Sequence, residues 1–138
     1  MATKEQKQAY TALRVLTGFD FFGHGFARIA LGSHLAGFAQ GMVKNMAGTP
    51  LPPGLVLAMG YVIPVVELGV GILLLLGVAT RYALWAALLL MCVLMFGITL
   101  KQDWAIASQQ LLYGFVLAAL LFGRERFDLS WPAVFQRS

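Results

Sequence analysis

Charge is scarce in this chain: only 12% of its 138 residues are Asp, Glu, Lys or Arg, while 59% are hydrophobic. Soluble domains carry about 25% charged and about 45–50% apolar residues. A chain this short has too much surface for its volume to hide such an apolar excess in one core. A water-soluble monomer is excluded on that ground, and so are disordered and collagen-like classes. Cysteine is nearly absent as well. Cys92 stands alone, so no intrachain disulfide and no cysteine-based zinc or iron–sulfur centre can form. The formal charge of +4 comes from ten Lys and Arg spread thinly, without the run that a nucleic-acid surface needs. No Walker, C-x-x-C-H or G-x-S-x-G pattern occurs, and Gly23-x-Gly25-x-x-Arg28 lacks the third glycine and the preceding strand of a dinucleotide fingerprint.

What the chain does have is long uncharged runs. Residues 54–79 contain one ionisable carboxylate, Glu67; residues 82–100 and 104–123 contain no charge. Each is about as long as the 20 residues a helix needs to cross the hydrocarbon core. A fourth window, about 10–32, is interrupted by Arg14, Asp20, His24 and Arg28. Arg14 and Asp20 break any signal-peptide core, and no A-x-A cleavage pattern follows. The expected fold is therefore all-α: one domain, an antiparallel bundle of four transmembrane helices.

The basic residues give this bundle an orientation. The N-terminal segment, the 2–3 turn and the tail hold Lys4, Lys7, Arg81, Arg124, Arg126 and Arg137; the other two connections hold Lys44 and Lys101. By the positive-inside rule both termini are cytoplasmic. The long connection at 33–53 places Leu35, Phe38, Met42 and Met46 on one helical face. It reads either as an amphipathic helix resting on the outer membrane surface or as a lid over a site below. The tail, 124–138, with Trp131, Pro132 and Phe135, reads as a short inner interfacial segment.

Ionisable residues inside hydrocarbon are costly and need a reason. On a helix turning 100° per residue, Arg14, Thr17, Asp20, His24 and Arg28 fall in one arc of about 120°. In the second span Gly60, Pro64, Glu67 and Gly71 share an arc of about 60°. In the fourth, Gln102, Gln109 and Tyr113 share a stripe, with Gln110 to one side. Counting about 1.5 Å per residue, His24, Tyr61, Gln109 and Gln110 lie about 8–11 Å deep and Asp20 and Glu67 about 17–18 Å. Arg28 lies shallower, and Arg14 near the inner end is placed to snorkel or to pair with Glu125 or Asp128. Three helices thus point to one polar pocket in the outer half of the bundle.

Such a pocket suits some ligands better than others. A haem is disfavoured, because His24 is the one intramembrane histidine and a bis-histidine site would need two copies of it. A metal held by Asp20, His24 and Glu67 would have one imidazole where the non-haem iron triad has two. A quinone fits better: His24, Arg28, Tyr61, Gln109, Gln110 and Tyr113 can bind a head group, and Asp20, His24 and Glu67 can carry protons. Its tail would stay in lipid. The competing reading is a structural network that fixes helix register in a non-catalytic anchor or assembly factor. A small-solute transporter is a third, although four helices without repeats make a thin pathway.

Several of these residues stand in a recognisable arrangement. Arg14 followed by Phe22-Gly23-His24-Gly25-x-x-Arg28, then Leu51-Pro52, Pro64-x-x-Glu67, the Gly71 to Arg81 stretch, Phe96-Gly97 and Gln110-Leu111-x-Tyr113 resemble the DoxX family of small four-helix membrane proteins. That family is related to the DoxD-type membrane subunit of thiosulfate:quinone oxidoreductase. The resemblance implies a bacterial inner-membrane protein working with a redox partner subunit, and it is compatible with homo-oligomers. The leading expectation is a quinone-interacting membrane subunit of a redox system, with no covalently bound cofactor.

Overall fold

A computed structural model of the chain describes residues 1–129. The expected interfacial segment at Trp131, Pro132 and Phe135, and Arg137 with it, lies outside the described residues. Among the described residues there are five helices and no strand. The first, α1 (Lys4–Ala30), starts a turn and a half before the apolar window because Thr3 and Gln6 form a capping box. Next come α2 (His34–Asn45), α3 (Pro53–Leu76), α4 (Thr80–Leu100) and α5 (Trp104–Phe127). Pro53 occupies the first helical position of α3, where its missing N–H costs nothing. Gly77, at φ +68°, ends the helix in the left-handed conformation. The expected second span therefore stops three residues early, and α4 begins two residues early at Thr80. Asp103 caps α5 by accepting from the Ile106 amide. That helix runs on to Phe127, past the expected end at Gly123.

Three helices, α3, α4 and α5, are long and apolar enough to cross a membrane. They leave much apolar surface uncovered: Phe115 is 73% exposed and Phe122 93%. Water would not tolerate so continuous an apolar face, whereas lipid is its natural solvent. The protein is a multi-pass membrane protein. The sequence expectation of a bundle of four spans is met only at this coarser level, because the polar residues of α1 keep it out of that set.

The closest packing is between α1 and α3, which run antiparallel. A Cβ on Gly25 would come within 2.4 Å of the Leu68 amide nitrogen, and one on Gly71 within 2.3 Å of that of Phe22. One on Gly18 would lie 3.0 Å from the Leu75 amide nitrogen, in the same register. In lipid, helices gain nothing by hiding apolar surface from one another, so close backbone approach through small residues does the work. The other end of the pair is pinned by polar contacts. Arg14, buried, donates to the Leu74 carbonyl and sits 3.6 Å from Asp128 Oδ1, while Thr80 donates to Asp128 Oδ2 at 2.7 Å. Of the two partners expected for Arg14, Asp128 is the one it meets. Tyr10 donates to the Leu120 carbonyl at 2.8 Å, so α1, α4 and α5 are joined there.

Helix α2 does not merely rest beside the bundle. It packs on α3, with Ala39 fully buried against Gly60, where an added Cβ would lie 2.6 Å from the Ala39 Cα. Phe38, Met42 and Met46 turn inward over a hollow between α3 and α4.

Candidate functional site

Polar side chains from α1, α3 and α5 converge on a cavity of about 270 Å³. From α1 it receives Asp20, His24 and Arg28; from α3, Glu67; from α5, Gln109, Gln110 and Tyr113. Phe21, Met91, Leu94 and Ile106 supply apolar wall. The three α1 residues reach it because i, i+4 and i+8 lie on one helical face. Glu67 reaches it because Gly71 and Gly25 let α1 and α3 close on each other at that level.

Each charged group has a distinct setting. Glu67 is 4% exposed, and both its carboxylate oxygens lie within hydrogen-bond distance of Arg28 Nη1. The guanidinium also lies over the Phe38 ring, 4.8 Å from its centre, so both faces of its environment favour the cation. Asp20 is more open: its side chain is 35% exposed and accepts from the Tyr113 hydroxyl at 3.2 Å. The Nδ1 of His24 lies 2.9 Å from the Asp20 carbonyl oxygen and 3.4 Å from Asp20 Oδ2. A carbonyl only accepts, so Nδ1 carries a proton and Nε2 of the neutral ring is the acceptor. His24 can thus donate from Nε2 only when the ring is protonated. Gln110 Oε1 is shut off from solvent without a hydrogen-bond partner, a condition that a bound donor would relieve.

Seven of the eight residues singled out in the sequence line this cavity. Tyr61 does not: it is 40% exposed on α3 and turned away. Its depth matched the others, but its azimuth lies about 120° away from that of Glu67 on a regular helix. The sequence reading missed the wall residues Phe21, Met91, Leu94 and Ile106, which carry no polar signal. Depth and azimuth together would have discarded Tyr61. Among the described residues no three His, Cys, Asp or Glu side chains are grouped as a metal ion requires.

A shallower hollow of about 410 Å³ lies on the outer side of α1, lined by Phe19, Asp20, Gly23, His24, Ala27 and Arg28. Three of the cavity's ionisable groups are therefore reachable from beside the bundle as well as from within it.

Comparison with known families matches residues 6–103 to the model for the methylamine utilisation protein MauE. The resemblance to DoxX is overturned by this match. The motifs behind it were glycines, prolines and single polar residues at helix-packing spacings. Of these, Gly25, Pro64 and Gly71 serve the close α1–α3 contact, and packing residues of that kind do not distinguish families. No match was found among curated proteins, nor among solved structures.

Proposed function

The chain belongs to the MauE family, and we propose from this that it is the membrane component of a redox system of the methylamine-utilisation type, its polar cavity receiving a quinone head group. The observation that carries the reading is the gathering of two carboxylates, an imidazole, a guanidinium, two amides and a phenol around about 270 Å³. That is at or just below the small end of ligand pockets, about 300–1,000 Å³, and suits one ring better than a larger ligand. Gln109 through its amide N–H and Arg28 from the rim are donors that suit carbonyl oxygens, while Gln110 Oε1 would accept from a hydroxyl of the reduced head group. Asp20 and His24, open and adjacent, are the groups that would take up and release protons. Glu67 is committed to Arg28, so its part is to hold the guanidinium in place.

The quinone would supply the electron chemistry, and the protein the binding and the protons. A partner subunit would bring the electrons. The hollow outside α1 is the seat for it, since Asp20 and His24 would otherwise face hydrocarbon at high cost. In this reading α1 is a fourth span, both termini are cytoplasmic, and the membrane is the bacterial inner membrane.

The test is to purify the protein, identify the extracted lipid by mass, and titrate a short-chain quinone. Quinone retained or bound, and weakened by Gln110→Leu, supports the proposal; none retained and none bound overturns it. The ion pair of Arg28 with Glu67 favours one other reading, a structural network in a non-catalytic anchor. Under that reading His24→Ala lowers thermal stability; under the quinone reading it lowers binding or redox activity and leaves the fold intact.

A further inference from the structure

Beneath α2 lies a larger hollow of about 740 Å³, walled by Phe38 and Met42 of α2, Met59 and Ile63 of α3, and Leu94 and Gly97 of α4. At the α2 end it is closed by Lys101 donating to Asn45 Oδ1. At its side Val93 and Phe96, 48% and 61% exposed, form a rim that opens outward between helices. The groove adjoins the polar cavity, since Leu94 and Gln110 line both. Arg28 of the cavity wall and Phe38 of the groove wall, in contact at 4.8 Å, make a second junction.

We propose that this groove holds the first isoprenoid units of a lipid quinone whose head group occupies the polar cavity; the inference rests on the head-group reading above. A site polar at one end and hydrocarbon beyond matches a molecule built in the same order. Gln110 stands at the change of character. Its shielded amide presents an acceptor to a quinol hydroxyl or, turned over, a donor to a quinone carbonyl. Met42, Met46 and Met59 suit a branched chain, because unbranched thioether side chains repack around irregular shapes. The chain leaves past Val93 and Phe96, so its remainder and not its beginning lies in lipid. This replaces the expectation of a tail wholly in the bilayer. It also gives α2 a task, the roofing of the chain site.

Two glycines make the groove testable without disturbing the backbone. A Cβ on Gly97 would meet only Met46 Cε, at 3.8 Å, and one on Gly41 would meet nothing within 4 Å. Gly97→Leu and Gly41→Leu each fill the groove from an opposite wall, and neither residue lines the polar cavity. The protein and each variant are placed in phosphatidylcholine nanodiscs. Binding of a chainless dimethoxy-methyl-benzoquinone and of its diprenyl analogue is read by quenching of tryptophan fluorescence, corrected for partition into empty discs. For variants that melt like the wild type, diprenyl binding weakens about tenfold or more while chainless binding changes less than about twofold. Unchanged diprenyl binding in both variants, or wild-type affinity that is the same with and without the chain, overturns the groove inference alone. Failure of the wild type to bind either quinone overturns the head-group reading, and this inference with it.

Discussion

Arg28 of α1 and Glu67 of α3 share one ion pair in which a single guanidinium nitrogen reaches both carboxylate oxygens, with the carboxylate side chain 5% exposed and the guanidinium side chain 29%. Removing one member of a buried pair leaves an uncompensated charge, whereas removing both leaves none. Arg28→Met is therefore expected to lower stability by about 3 kcal/mol, and Arg28→Met with Glu67→Leu to recover most of it. Thermal unfolding in detergent measures both. A double variant no more stable than the single one would show that the pair is not what holds the two helices at this level.

The glycines of α1 and α3 divide into two kinds, and substitution should separate them. Gly25→Ala and Gly71→Ala place a methyl group against neighbouring backbone at 2.4 and 2.3 Å, which neither helix can yield without parting. A loss of about 1–3 kcal/mol or more is expected for each, as for other overpacked interiors. Gly23→Ala and Gly69→Ala meet nothing within 4 Å and are expected to be neutral or slightly stabilising. Melting temperatures of the four variants decide it, and equal losses in both classes would refute the register described.

Tyr113 touches the fold lightly and the cavity directly. Its hydroxyl donates to Asp20 at 3.2 Å. Tyr113→Phe removes one hydrogen bond to a carboxylate that stays accessible, so a stability change within about 1 kcal/mol is expected. Head-group affinity should fall by about threefold to tenfold if the phenol helps orient Asp20 toward the ligand. Titration with the chainless quinone and a parallel melt separate the two effects.

Orientation can be read with cysteine chemistry, since Cys92→Ser leaves a chain with no thiol. In that background, Lys4→Cys and Lys44→Cys in spheroplasts report the two sides. The expected result is labelling of position 44 and not of position 4 by a membrane-impermeant maleimide. Labelling of 4 alone would invert the topology, and labelling of both would remove α1 from the membrane.

Much of this arrangement was legible in the sequence, for a definite reason. The cost of charge in hydrocarbon concentrates information in few residues, so uncharged runs delimited α3, α4 and α5 and the exceptions marked most of the cavity. Asp20, His24 and Arg28 shared a face by helical arithmetic alone. The groove was not legible, because it exists only when Ala39 settles on Gly60 and turns Phe38 and Met42 inward. Contacts between segments 20 residues apart leave no periodic trace. The family was not legible either, since glycine and proline spacings report packing, which unrelated bundles share.

The close register of Gly18, Phe22 and Gly25 along α3 lies on one side of the polar cavity, while Gln109, Gln110 and Tyr113 line it from α5. On α1 and α3 the packing glycines alternate with cavity residues Asp20, His24, Arg28 and Glu67, whereas the α5 wall lies in a stretch of sequence apart from that pairing. Selection can alter the cavity's α5 wall, residue by residue, without wagering the scaffold, so chains that share the α1–α3 pairing are free to diverge in what they hold.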